Sequence, residues 1–143
     1  CDPDPAKRAA AVAFIAEVID VAGAFGAPAI IGSMQGRSCP DVPREEALEH
    51  LAAALATLGN RAAGHGQILL YEPLNRYETD LFNRQADAAG FLEARDLSHV
   101  RLLCDLFHMN IEEAEIAATL HGVGRHVGHV HWADSNRRAM GLG

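Results

Sequence analysis

Short apolar runs alternate with longer amphipathic segments along the whole chain, and this alternation constrains the fold more than any other feature. Four runs have the length of strands: 29–31, 68–71, 100–106 and 127–132. Each follows a segment with helical periodicity, and these segments are at 5–25, 44–63, 85–95 and 111–120. Strands that are apolar on both faces and alternate with helices are typical of a parallel sheet.

Two architectures accommodate this order: an open doubly wound sheet and a (β/α)8 barrel. Neither of the glycine-rich phosphate-binding patterns of nucleotide-binding sheets, G-x-G-x-x-G or G-x-x-x-x-G-K-[ST], occurs. The sequence has the size of one domain, residues 1–143, with no linker-like stretch. It therefore predicts an α/β fold of about four βα units.

Polar and ionisable side chains collect where each predicted strand ends. The strands run out into GSMQGR, EPLNRYETD, CDLFHMN and HVHWADSNR. Because parallel strands place all their carboxyl ends at one edge, these side chains are expected to converge there, as they do at the mouth of a (β/α)8 barrel.

Glu72, Asp105 and His131 lie at the last part of three successive predicted strands. Two carboxylates and one imidazole suit Mn²⁺ or Co²⁺, and Mg²⁺ or Zn²⁺ are compatible. The alternative is that Glu72 pairs with Arg76 or another arginine, Asp105 caps the next helix and His131 is a satisfied core histidine. An unpaired buried carboxylate is costly, and three such residues on three strands favour the metal site.

The charge and the cysteines limit the other classes of function. A net charge of -7 argues against broad electrostatic binding of nucleic acid. No apolar run is long enough to span a bilayer, so no membrane partner is expected. The three cysteines are far apart and lack CxxC spacing, which favours a reducing, cytoplasmic setting.

EPLNRYE, DLFHMNIEE and HVHWADSNR together resemble the xylose-isomerase-like TIM barrel superfamily, in its sugar isomerase/epimerase branch with the ketose 3-epimerases of the tagatose and psicose type. The resemblance implies a (β/α)8 TIM barrel of which residues 1–143 supply about the fourth to seventh strands. It also implies that the first three strands and a fourth metal ligand, a glutamate on the eighth strand, lie outside this chain. Asp134 stands where the epimerases usually have Glu.

The resemblance implies a role for each of six residues. Glu72, Asp105 and His131 would hold a divalent metal ion, with Glu72 also one of two catalytic acid/base carboxylates. Glu78, His108 and Arg137 would contact the sugar.

The implied activity is that of a metal-dependent sugar isomerase or epimerase. A carboxylate such as Glu72 removes a proton next to a ketose carbonyl, giving a cis-enediolate, and the site of proton return separates epimerisation from isomerisation. The substrate would be a small sugar, phosphorylated or not, and a homo-oligomer is compatible with the sequence.

Two other functions stay open. A DNA-repair metalloenzyme of the endonuclease IV type would share the barrel, but the acidic net charge argues against it. The other is a catalytically incomplete fragment: the chain begins at Cys1 and ends in a loop-like MGLG, and four strands cannot close a barrel. We expect the isolated 143 residues to be inactive.

Overall fold

The computed structural model describes residues 1–143 as one four-stranded parallel sheet with helices packed against it. The strands are β1 (Ala29–Ile31), β2 (Leu69–Tyr71), β3 (Val100–Asp105) and β4 (Val127–His131). The helices are α1 (Pro5–Ala24), α2 (Arg44–Gly64), α3 (Gln85–Ala94), α4 (Leu106–Glu112) and α5 (Ile116–Val123). Short 3₁₀ turns cover Ser33–Gln35 and Gly124–His126.

The strands lie in the order β1-β2-β3-β4, and every neighbouring pair is parallel. The predicted parallel sheet is therefore confirmed. A doubly wound sheet reverses its strand order at a switch point. This sheet has no reversal, so its topology is that of consecutive barrel strands, with β1 and β4 at its two edges.

One irregularity in the sheet sets the register of β4. Leu102 pairs with Val127, but Leu103 pairs with His129. Gly128 is therefore an extra residue in β4 that has no paired residue in β3. A Cβ at Gly128 would lie 2.6 Å from Cβ of Arg101. The bulge brings His131 into register with Asp105.

The fourth predicted helix, at 111–120, is wrong in its bounds. The chain instead forms α4 immediately after β3 and begins α5 at Ile116. Asp105 explains the early start, because its side chain accepts a hydrogen bond from the backbone N–H of Phe107 and so caps α4. None of the helices combines the length and apolar composition needed to cross a membrane.

The core lies between the sheet and the helices, with α2 at its centre. Leu51, Leu55 and Leu58 of α2 are buried against a cluster that includes strand residues such as Leu69 and Leu102. These leucines recur at threes and fours, which places them on one helical face. Packing of this face fixes β2 and β3, the strands that carry the polar residues.

We expect Leu55→Ala to lower the free energy of unfolding by about 2–5 kcal/mol, because the leucine is 0% exposed and its loss leaves a cavity. Urea denaturation of the full-length protein measures this. Thr57→Ala, at an exposed position of the same helix, should change stability by less than about 0.5 kcal/mol. Equal effects of the two substitutions would contradict the assigned core.

Candidate functional site

Three of the predicted site residues meet at the carboxyl end of the sheet. Glu72 follows β2 directly, Asp105 ends β3 and His131 ends β4. His131 Nδ1 lies 3.4 Å from Asp105 Oδ2 and 3.9 Å from Glu72 Oε1. The neighbouring strands thus bring one imidazole within reach of two carboxylates.

The Glu72 carboxylate is nearly enclosed but unpaired. The residue is 9% exposed, and no hydrogen-bond donor contacts its side-chain oxygens. Burial raises the pKa of Glu72, and the negative charge of Asp105 raises that pKa further. The alternative pairing with Arg76 does not occur, because Arg76 binds Glu112 instead. Glu72 therefore has no hydrogen-bonded partner, and the nearest imidazole nitrogens, His108 Nε2 and His131 Nδ1, lie 3.8 and 3.9 Å from its Oε1.

The two carboxylate oxygens of Asp105 have different partners. It is 1% exposed, and its Oδ1 caps α4 through the N–H of Phe107 at 2.8 Å. Its Oδ2 accepts a hydrogen bond of 2.7 Å from Arg137 Nη1. The capping interpretation is thus correct for one oxygen, while the other faces the cationic side of the site.

A second imidazole, that of His108, also borders the carboxylates. His108 is buried, and its Nε2 lies 3.8 Å from Glu72 Oε1. Ligand atoms of Glu72, Asp105 and His108 lie within 4.8 Å of one another. His131 has a more open position, since its side chain is 39% exposed. It is therefore no satisfied core histidine.

The donor set fits a divalent ion. Carboxylate oxygens with one or two imidazoles are ligands of Mn²⁺, Co²⁺ and Zn²⁺, and Mg²⁺ accepts the carboxylates. Glu72 beside Asp105 is the feature that indicates a cation site, because two close carboxylates repel each other and only Asp105 has a cationic hydrogen-bond partner, Arg137. Both His108 and His131 offer a ring nitrogen beside these carboxylates.

Arg137 lies over the site from the segment that follows β4. Its guanidinium is 4.1 Å from the centre of the Phe107 ring, and it bonds Asp105. Its backbone has φ of 64°, a left-handed conformation that few non-glycine residues adopt. A turn bond from its N–H to the Asp134 carbonyl, at 2.9 Å, supports this conformation. The sequence predicted Arg137 but not its aromatic platform.

Glu78 lies at the rim of the site, with its side chain 40% exposed. Its Oε1 accepts a hydrogen bond of 2.9 Å from Asn75 Nδ2 and lies 3.8 Å from His108 Nδ1. All six predicted residues thus lie at the carboxyl end of the sheet, connected by contacts of 3.9 Å or less.

Two supporting contacts were not predicted. Glu112 is a buried carboxylate that binds Arg76 through both oxygens, at 2.9 and 2.8 Å, and also accepts its backbone N–H. Gln35 is buried, donates to the Glu72 carbonyl at 2.9 Å and accepts from the Tyr71 hydroxyl at 2.6 Å. These bonds hold the backbone around Glu72. No local sequence signal pairs residues so far apart.

Gly32, just after β1, is expected to be intolerant of a side chain. A Cβ at this position would lie 2.6 Å from Glu72 Oε2. If Glu72 has the catalytic role that the resemblance implies, Gly32→Ala should displace its carboxylate and lower kcat/KM of the full-length protein by up to about 100-fold. Gly90→Ala, in a helix with open space around it, is the matched control. Equal activity in the two variants would contradict this prediction.

Comparison with known proteins gives one family. The whole chain, residues 1–143, matches the family described as xylose isomerase-like TIM barrel. It is 42% identical over 90 residues to the 3-dehydro-D-guloside 4-epimerase of Escherichia coli K12, covering 63% of this chain and 34% of that protein. It is 30% identical to the L-ribulose 3-epimerase of Methylomonas sp. DH-1, over 98% of this chain and 50% of that protein.

A solved structure shows the same fold. The crystal structure of D-psicose 3-epimerase with D-tagatose from Clostridium cellulolyticum H10 superposes with a TM-score of 0.87 at 27% identity. The match covers 99% of this chain and 50% of that one. The chain thus spans a third to a half of the length of these relatives, and its four-stranded sheet is part of a barrel fold.

Proposed function

The chain belongs to the xylose isomerase-like TIM barrel family, and on that premise we propose that the full-length protein is a metal-dependent sugar epimerase. The observation that supports this most is the nearly buried carboxylate of Glu72, which has no hydrogen-bond donor and lies beside Asp105 and His131. A group in this position is suited to remove a proton in a site that also holds a cation.

The reactions for which the relatives are named indicate the class of reaction that we propose. One is a 4-epimerase of a 3-dehydro sugar, and others are 3-epimerases of ribulose and psicose. In each case the carbon that inverts is next to a ketone, where a C–H bond is acidic enough for enolisation. The proposed substrate class is therefore a sugar with a ketone adjacent to the inverting carbon.

Glu72, Asp105 and His131 would hold the metal ion, since His131 Nδ1 lies 3.9 Å from Glu72 and 3.4 Å from Asp105. His108 is the second candidate for the nitrogen ligand, because its ligand atom lies within 4.8 Å of those of both carboxylates. When bound, a divalent ion polarises a carbonyl oxygen and makes the adjacent C–H bond more acidic. Mn²⁺ and Co²⁺ are the ions that we favour for this donor set.

Glu72 is the proposed base. Its raised pKa brings the carboxylate closer to the acidity needed for reversible proton transfer near neutral pH. Deprotonation of the sugar yields an enediolate. Epimerisation then requires proton return from the opposite face, and by resemblance the second carboxylate lies on a strand outside residues 1–143.

Glu78, His108 and Arg137 are proposed to bind the sugar oxygens. They lie around the Glu72–Asp105 pair, and the Arg137 guanidinium carries the positive charge of this group. A hydrogen-bond donor or cation aimed at an oxygen that becomes negative stabilises the transition state.

Proton exchange tests the proposal. The full-length protein, with Mn²⁺ or Co²⁺, would be incubated in D₂O with L-ribulose, D-psicose and a 3-keto glycoside, and the products followed by ¹H NMR. We expect deuterium at the carbon next to the ketone together with the epimer. Formation of an aldose instead would indicate isomerisation. Cleavage of abasic-site DNA without sugar exchange would replace the proposal with the endonuclease function.

We further propose that residues 1–143 alone have no epimerase activity. The sheet has two open edges, β1 and β4, so no closed ring of strands surrounds the site at its carboxyl end. Oligomeric state stays a prediction.

A further inference from the structure

Asn75 lies in the loop between β2 and α3, between two residues that the proposed function assigns to the sugar. It is only 3% exposed, yet each of its polar groups is paired. Its Oδ1 accepts a hydrogen bond of 3.0 Å from the backbone N–H of Tyr77. This contact fixes the orientation of the amide, because only the oxygen can face a backbone donor.

The amide nitrogen therefore faces the site with both of its hydrogens. Nδ2 lies 2.9 Å from Glu78 Oε1 and 2.8 Å from His108 Nδ1. The backbone N–H of Asn75 also donates to His108 Nδ1, over 3.1 Å. One ring nitrogen of His108 is thus faced by two donors from a single residue.

A neutral imidazole accepts at one nitrogen and carries its hydrogen on the other. Two donors face Nδ1 of the buried ring, so this nitrogen accepts and carries no hydrogen, as in a neutral imidazole. Arg137 Nη2 approaches the opposite nitrogen, Nε2, at 3.1 Å. Arginine can only donate, so the two neighbours demand opposite tautomers. The Asn75 donors prevail, because one is backbone and both are buried, whereas the Arg137 side chain is 48% exposed.

We infer that Asn75 is a positioning residue that fixes the tautomer of His108, with Nδ1 unprotonated and the hydrogen on Nε2, and that it holds Glu78 at the same time. The Nε2–H then faces Glu72 Oε1, 3.8 Å from Nε2, and the Arg137 Nη2 group, now 3.1 Å from Nε2, has to turn away from this hydrogen. That His108 uses this hydrogen to bind a sugar oxygen beside the reacting carbon rests on the proposed function; the tautomer itself does not.

The unaltered protein provides the first test. In the metal-free full-length protein, ¹⁵N-labelled histidine should give one ring with an unprotonated Nδ1 and a proton on Nε2, assigned to His108 by its loss in His108→Gln. A ring at this position with the proton on Nδ1 would overturn the inference.

Asn75→Asp is the informative variant, because it keeps the shape and the Tyr77 contact but replaces both side-chain donors with an acceptor. We expect the carboxylate to draw a proton to Nδ1, so that the signal of unprotonated Nδ1 is lost. An unchanged ring spectrum would overturn the role of the side chain. Asn83→Ala is the matched control, since Asn83 supports the same loop through the Leu74 and Thr79 carbonyls without contacting His108, and it should leave the ring spectrum unchanged.

Should Asn75→Asp fail to fold, Asn75→Ala decides the question. Only the backbone donor then opposes Arg137, and the tautomer with the proton on Nδ1 should become populated. A spectrum identical to that of the unaltered protein would overturn the inference.

Kinetics separate this inference from the proposed function. Asn75→Asp should lower kcat/KM by roughly 10- to 100-fold, mostly in kcat, because a bond to a developing oxyanion strengthens in the transition state. Unchanged kinetics would overturn the positioning role. If no keto sugar reacts at all but the expected tautomer is found, the proposed function fails and the fixed tautomer stands.

Discussion

Replacing Glu72 by glutamine is expected to lower kcat of the full-length protein by roughly 10²- to 10⁴-fold, the contribution of a general base. Glutamine keeps the size of the side chain but has no basic oxygen. Steady-state turnover and deuterium exchange should fall together, because both depend on removal of the same proton.

The control for this variant is Glu17→Gln, which neutralises an exposed glutamate of α1. It should leave kcat within about twofold of the unaltered value, since surface substitutions have small effects. If Glu72→Gln retained most of the exchange activity, Glu72 would not be the base. A different carboxylate at the carboxyl end of the sheet would then have to remove the proton.

Although Glu72→Gln should lower kcat, it should raise the stability of the metal-free protein at high pH. The pKa of Glu72 is raised in the folded protein. A carboxyl of this kind stabilises the fold below its unfolded pKa and loses that contribution as pH rises through the folded pKa. Metal-free Glu72→Gln should therefore gain stability relative to the unaltered protein as pH rises through the folded pKa of Glu72, and the difference should shrink at acidic pH. A thermal unfolding series over pH measures this.

The second large effect is expected for Asp105→Asn, which should weaken binding of Mn²⁺ by more than roughly 100-fold. Loss of an outer hydrogen-bonding partner costs about 10- to 100-fold, and loss of a ligand should cost more. Asparagine retains an oxygen that can cap α4 through Phe107. Isothermal titration of the full-length protein gives the affinity directly.

Asp87→Asn serves as the control, since Asp87 is an exposed acid in the first turn of α3. It should bind Mn²⁺ as the unaltered protein does. Undiminished affinity in Asp105→Asn would show that Asp105 is not a ligand. Its charge would then be balanced by Arg137, as it is in the structure.

Most of the fold could be predicted from the sequence, because local patterns determine it. The apolar runs predicted all four strands to within one residue at each end, and the periodic segments at 5–25, 44–63 and 85–95 predicted α1, α2 and α3 equally closely. The division into α4 and α5 was missed. Its cause is the Asp105 cap, and an aspartate at a strand end gives the same local pattern whether it caps a helix or binds a ligand.

The sequence predicted which residues of the candidate site come together but not which of their side chains pair. Carboxyl ends of parallel strands share one edge, so polar residues at those ends had to converge. The pairing of Arg76 with Glu112, rather than with Glu72, depends on the path of two loops. The platform of Phe107 under Arg137 likewise depends on the left-handed backbone of Arg137.

The sequence by itself determined which residues reach the mouth, because strand periodicity and strand ends are local properties of the chain. Only the tertiary structure decided how they face one another. The bulge at Gly128 is the clearest case: without its extra residue, Val130 and not His131 would be in register with Asp105. Side chains alternate along a strand, so this single insertion decides whether an imidazole or an isopropyl group meets the carboxylate.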